Sequence, residues 1–285
     1  WKFIKTRRKD NVGVQSLKVN NKTVTDDQGK ADVLANQFQG VFSREDKQVP
    51  DMPDSPHPDM PEIHFSVNGV TKLLKGLNIS KASGPDKIPN RALTLAVEQI
   101  SPVLTFIFHQ SYSKGILPED WRRANIASIF KKGAKSNPAN YRPVSLTSVC
   151  CKLMEHIVDS QLMNHLSDNS IITDYKHAFR SQRSCETQLI ATIHDLAEAH
   201  NDKNTCDIAI LDFSKAFDVV PHGRLLQKLN FYGIRNKILQ WIKSFLTNRH
   251  QRTVVNGKMF KWMPVLSGIP QGTVLGPHLF ILFIN

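Results

Sequence analysis

Cys206-Asp-Ile-Ala-Ile-Leu-Asp212-Phe-Ser-Lys-Ala-Phe217-Asp218 sets a carboxylate at the end of an apolar run, with an aromatic ring five residues further on. The run 208–211 has the composition of a central strand covered on both faces. An ionisable Asp at its end is costly to bury alone and wants a cation or a hydrogen-bond network. Downstream lies Ser267-Gly-Ile-Pro-Gln271-Gly272, a turn in which Gly268 and Gly272 permit close backbone approach and Pro270 adds stiffness.

Around this core, helical and strand patterns alternate irregularly. Residues 67–77 carry Val70, Leu73, Leu74 and Leu77 on one helical face. Residues 91–114 predict two helices divided at Pro102 and ended by Gly115. A strand is expected over 124–130, and helices over 149–166, 185–200, 224–231 and 234–246. Asn256-Gly257 supplies the positive φ of a type I′ turn, so 252–262 predicts a β-hairpin. The apolar end, 279–284, is expected to be a buried helix or strand. The mixed order predicts an α+β fold rather than regular βαβ winding. Residues 1–65 are polar, with one short helix expected over 31–42 and a Pro-rich stretch over 50–61 that predicts a linker.

The chain has 285 residues, 40% of them apolar, enough to bury a sizeable core. Its net charge is +12, and after Asp218 the remaining stretch holds nine Lys or Arg and no acid. That is either an electrostatic footprint for phosphates or a merely soluble basic face. Cys150, Cys151, Cys185 and Cys206 form no C-x-x-C pair and have no His at zinc spacing, so reduced core cysteines are expected. The eleven His residues show no metal spacing, and none adjoins a convincing Ser or Cys nucleophile. No signal peptide or membrane-length apolar run is present, so an intracellular protein with no membrane partner is expected.

Asp212-Phe-Ser-Lys-Ala-Phe-Asp218-Val-Val-Pro-His222 resembles the first palm motif of non-LTR (LINE-type, jockey- or CR1-like) retrotransposon reverse transcriptases. Leu266-Ser-Gly-Ile-Pro-Gln-Gly-Thr-Val-Leu-Gly-Pro-His-Leu-Phe280 is similar to their second. Ser83-Gly-Pro-Asp86, Ile129-Phe-Lys-Lys-Gly133, Asn140-Tyr-Arg142-Pro and His177-Ala-Phe179-Arg-Ser-Gln-Arg183 follow in the family's order. The resemblance implies a right-hand polymerase, with fingers and the fingers–palm junction over 66–205 and part of the palm over 206–285. Residues 1–65 would be the linker region preceding it.

What the resemblance implies for the site is specific. Two Mg²⁺ ions (or Mn²⁺) about 4 Å apart would activate a primer 3′-hydroxyl and neutralise the leaving pyrophosphate. Asp212 and the backbone carbonyl of Phe213 would hold them, with Asp218 and Asp207 as competing acids. Phe217 would pack against the sugar and exclude a 2′-hydroxyl; as a residue alone it reads as core, and it is the motif that points to the sugar. Lys131, with Lys132 as competitor, and Arg142 would clamp the triphosphate. Gln271 and Gly272 would face the nucleotide, while Phe179 and Arg180 would sit at the junction near template or primer. Implied partners are an RNA template, a DNA primer and deoxynucleoside triphosphates, within a retroelement ribonucleoprotein of cytoplasm and nucleus.

The family's third palm motif, Tyr- or Phe-x-Asp-Asp, has no match, and no Asp-Asp occurs after Asp27. Opening on Trp1 and stopping in an apolar segment, the chain is expected to be cut before that motif and the thumb. Little polymerase activity is therefore expected of it alone. A second expectation from another class is a non-enzymatic RNA-binding remnant of a decayed or co-opted retroelement.

Overall fold

Strand β3 (Arg123–Phe130) and strand β4 (Tyr141–Leu146) pair antiparallel and anchor the architecture, as the alternating burial of β3 dictates. Strand β5 (His250–Val255) adds in parallel to β3, and β6 (Lys258–Met259) and β7 (Met263–Pro264) pair antiparallel with β5. The computed structural model describes residues 13–20, 22–44 and 51–285. Residues 1–12, 21 and 45–50, parts of the expected linker, lie outside the described residues. Asn256 at φ 45° and Gly257 at φ 81° make the β5–β6 turn, as the Asn-Gly pair requires.

The sheet is covered by helices rather than interleaved with them. Helices α2 (Val67–Lys75), α3 (Asn90–Leu95), α4 (Val97–Lys114) and α5 (Val149–Asp168) precede α6 (Cys185–Asn201). After these come α7 (His222–Phe231), α8 (Asn236–Leu246) and α9 (Gly276–Ile284). The main core joins Leu74, Phe108, Leu153, Trp241, Phe245 and Leu279, all essentially inaccessible to water. Trp241 anchors it by donating Nε1–H to Ser111 Oγ at 3.1 Å. No helix among the described residues is long and apolar enough to cross a membrane.

Four expectations change. First, the N-terminal region folds onto the body over its described part. Strands β1 (Leu17–Val19) and β2 (Lys22–Val24) lead into α1 (Asp27–Gln39), capped by Asp26 accepting from Gly29 N–H at 2.7 Å. Leu17, Leu34 and Phe38 pack with Ile126 and Val255 in a second core on the sheet. The Pro-rich stretch runs as a strap: Met60 N–H donates to Gly233 O at 2.8 Å, and Ile63 and Phe65 are buried. Prolines remove donors within the stretch, and the two buried side chains follow the last of them, Pro61.

Second, α4 continues through Pro102, and the helix break falls at Ala96 instead. Third, Cys150 and Cys151 are buried, and burial pushes the Cys150 thiol up to about 11, but Cys185 and Cys206 are exposed. Fourth, the expected central strand is absent. Residues 206–213 are irregular, with Ile210 90% and Leu211 85% exposed. A strand needs a neighbouring edge for its N–H and C=O groups. Among the described residues none borders this run, so its apolar composition goes unused. Helix α6 likewise buries none of its side chains, leaving Leu189, Ile190 and Ile193 exposed.

The acid-free run is also less of a free basic surface than its composition implies. Arg235 pairs with Asp59, and Lys237 Nζ meets Glu62 Oε1 at 3.1 Å, both acids from the strap. Arg249 is buried and donates to Phe245 O at 2.8 Å, while Lys228 donates to Phe283 O at 2.7 Å. Arg252 donates to Asn125 Oδ1 at 2.8 Å and stacks 4.3 Å from the Trp262 ring centre. Cations counted in the sequence are thus largely employed in holding the fold.

Candidate active site

A cleft of about 360 Å³ opens where the β3–β4 hairpin, the end of α1 and the loop 213–218 meet. Each wall follows from local sequence. Lys131 extends from β3 at the hairpin neck, closed by Lys131 N–H to Asn140 O at 2.9 Å. Arg142 lies on β4 opposite Ile129, its side chain kept outside because the alternate residue Tyr141 faces the second core. Both cations line the cleft, whereas Lys132 does not.

The opposite wall comes from the loop after 206–213. Phe213, Phe217 and Asp218 line the cleft with Gln271. Phe217 is half-buried, its ring stacked on Phe280 of α9 with centroids 4.4 Å apart, so it serves both core and cleft wall. Asp218 N–H donates to Lys215 O at 2.8 Å in a tight turn. Its carboxylate accepts Gln271 Nε2–H at 2.8 Å. Burial raises the Asp218 carboxyl above the ordinary carboxylate range, against the lowering pull of Gln271 and Lys215.

The loop 267–275 is seated from three sides. Gly268 has φ 85°, and a Cβ there would lie 2.6 Å from Asp218 O and 2.7 Å from Phe217 O. Gly272 has φ 97°, with a Cβ falling 3.1 Å from Ser145 O on β4. Ser145 N–H donates to Gln271 O at 2.7 Å, joining the loop to the sheet. His222, buried, contacts Gly268 O through Nε2 at 2.8 Å. Glu155, wholly buried on α5, accepts Val274 N–H at 2.7 Å and Leu275 N–H at 3.2 Å at the start of α9. Burial raises its carboxyl above the ordinary range even against those two donors and Arg249.

Two expected groups stand apart. Asp212 is exposed and is not among the residues lining the cleft. Among the described residues no three His, Cys, Asp or Glu side chains gather to hold a metal ion. One carboxylate and a neighbouring carbonyl do not complete such a site, so the described residues alone do not fit a metal pair. Phe179 (φ 53°) and Arg180 lie outside the cleft as well: Arg180 donates back to Thr173 O at 2.8 Å, and Phe179 O accepts His278 Nε2–H at 3.0 Å. His278 Nδ1 meets Asp159 Oδ1 at 2.6 Å, tying α9 to α5.

The sequence reading did not anticipate the α1 wall: Gln37, Phe38 and Val41 line the cleft. The helix itself was legible from its apolar spacing, but its docking site was not. Ser43 fixes this wall, donating N–H to Ser267 Oγ at 2.9 Å and Oγ–H to Val219 O at 2.9 Å.

With this geometry in hand, similarity to known proteins is specific. A family profile described as reverse transcriptase (RNA-dependent DNA polymerase) matches residues 129–285, over half of the chain. The chain is 30% identical over 265 residues to the RNA-directed DNA polymerase from mobile element jockey of Drosophila melanogaster, covering 90% of the chain and 29% of that protein. It is 28% identical over 231 residues to the probable RNA-directed DNA polymerase from transposon BS of the same fly, covering 79% and 25%. For the probable polymerase from transposon X-element the figures are 27% over 272 residues, 90% and 29%. The chain spans less than a third of the length of these relatives.

Proposed function

Starting from the fact that this chain belongs to the reverse transcriptase family, we propose that it is the nucleotide-binding part of an RNA-directed DNA polymerase of a non-LTR retrotransposon. The observation that carries the proposal is the convergence of Lys131, Arg142, Phe217 and Gln271, from four separate segments, on one cleft. Two cations on one wall suit a triphosphate, Arg as a bidentate contact and Lys as a point charge. A ring held flat by a second ring, as Phe217 is by Phe280, suits a sugar lacking its 2′-hydroxyl. Arg142 and Lys131 thus bind and orient the phosphates, Phe217 selects the deoxyribose, and Gln271 with Gly272 borders the nucleoside.

Reverse transcriptases generally use divalent metal ions. We propose Asp212 and the Phe213 carbonyl as the groups of this chain that would contribute to a Mg²⁺ site, with Mn²⁺ as substitute. RNA template, DNA primer and a ribonucleoprotein of cytoplasm and nucleus belong to the same proposal, with Phe179 and Arg180 near the template or primer.

Equilibrium binding of radiolabelled dTTP to the chain tests it. Arg142→Ala should weaken binding about tenfold, equivalent to about 1.4 kcal/mol, and UTP should bind more weakly than dTTP. Equal affinity for dTTP and UTP, or no dTTP binding, would sink the proposal. The exposed, unassembled setting of Asp212 favours a second reading, a chain that only binds RNA. RNA affinity that survives Asp212→Ala, with no metal-dependent dTTP binding in the parent, would select it.

A further inference from the structure

Asp218 was a competitor for the metal in the sequence, yet the structure gives its carboxylate one defined partner, the side-chain amide of Gln271. The question is what sets the orientation of that amide. Packing does not: Gln271 and Asp218 both border the 360 Å³ cleft on one side and a cavity of about 30 Å³ on the other. The amide thus borders open space, and the polar contact it makes is with Asp218. That hydrogen bond sets the orientation.

Both backbones that meet in this contact are fixed independently. Asp218 is held by its N–H to Lys215 O, and its carbonyl accepts Ser267 Oγ–H at 2.8 Å. Gln271 is held by Ser145 N–H on its carbonyl at 2.7 Å. An ionised carboxylate only accepts, so it can meet only the NH₂ side of the amide. Gln271 Oε1 then has no protein partner among the described residues and is left as an acceptor.

We infer that Asp218 is the positioning residue for Gln271, holding Nε2 so that Oε1 is presented to the bound nucleotide as a fixed acceptor. Resting on the nucleotide-cleft reading above, the inference adds its specificity: this edge of the cleft recognises a hydrogen-bond donor on the nucleoside. Lys215 beside the turn, Arg249 and His250 across the small cavity, and Lys131 and Arg142 across the cleft surround Asp218. Of these, Lys215 together with the Gln271 amide favours the ionised, accepting form, against burial, which raises the carboxyl. Asp218 itself need not touch substrate.

Side-chain amide NMR of the full chain, with dTTP binding on the same samples, tests this. In the parent the Gln271 NH₂ pair should be shifted from free glutamine and protected from exchange. In Asp218→Ala the pair should collapse to solvent-like values and dTTP affinity should fall about tenfold, as expected for a lost charge-assisted contact. Asp218→Asn, whose oxygen can still accept Nε2–H, should restore both to within about threefold. An unchanged Gln271 pair in Asp218→Ala would overturn the inference, whatever binds. So would a parent that binds dTTP while Asp218→Ala binds it equally. A parent binding no dTTP fails the nucleotide-cleft reading instead, and with it the ligand half of this one.

Discussion

Phe217 lies stacked on Phe280, the two rings tilted by only 25° with centroids 4.4 Å apart. One side chain therefore carries a structural and a selective burden together. Phe217→Val should cost about 1–2 kcal/mol, less than a fully buried Phe truncation because the ring is only half-buried. It should also narrow the gap between dTTP and UTP affinity. Urea unfolding and competition binding on one preparation check both. A large loss of stability with unchanged sugar preference would make Phe217 a core residue only.

Glu155 holds the start of α9 by accepting Val274 and Leu275 N–H from full burial. Glu155→Ala strands both donors and removes a carboxylate that favours the charge of buried Arg249, so a loss of about 2–4 kcal/mol is expected. Glu155→Gln keeps an acceptor and should lose about half as much. Chemical denaturation of the two variants checks the ranking.

Gly268 permits a crossing of two backbones. An added Cβ would sit within 2.6 Å of Asp218 O in a left-handed conformation, so something must shift. Gly268→Ala should lose about 1–3 kcal/mol and weaken dTTP binding by displacing Gln271. Gly257→Ala is the control, since φ is also positive there but no atom lies within 4 Å of the new Cβ. It should cost about 1 kcal/mol and leave binding unchanged.

His278 should give stability a pH slope. Burial alone would lower its pKa, but the Asp159 carboxylate and Phe179 carbonyl outweigh that and lift it above the ordinary value of 6.5. The folded state thus binds the proton more tightly than the unfolded one. The contribution is whole below about pH 6.5 and is lost as pH rises through the folded value. Stability should therefore fall as pH rises above about 6.5, read from urea midpoints at a series of pH values. Asp159→Asn should flatten that segment.

The run 206–213 should behave as unpaired backbone. Its amides should exchange with deuterium orders of magnitude faster than those of β3, which is hydrogen-bonded on both sides. Protection equal to that of β3 would restore the central-strand expectation. Hydrogen-exchange mass spectrometry resolves the two segments directly.

Local signals were read well because they are physically local. Asn256-Gly257 makes its turn with its own torsions, and the apolar stripe through Ile238, Trp241, Ile242 and Phe245 buries as one helix face. Lys131 and Arg142 were paired by the family resemblance, and the antiparallel β3–β4 pairing places them on one hairpin. The fate of 208–211 was not legible, since apolar composition states a need for neighbours without naming any. The strap was missed for the converse reason: the Pro-rich stretch predicts a linker and gives no sign that Ile63 and Phe65, just beyond it, are taken into the core.

By itself, then, the sequence determined the chemistry available: cations at a hairpin, an aromatic after a carboxylate, glycines where backbones must cross. It also determined the family, because those residues stand in a recognisable order. Only the tertiary structure decided which acid meets Gln271. Asp218 does, because Ser267 and Lys215 hold its backbone against the 267–275 loop. Asp212 does not, because its segment finds no strand beside it among the described residues. Proximity between distant segments is a product of packing, and no spacing along the chain encodes it.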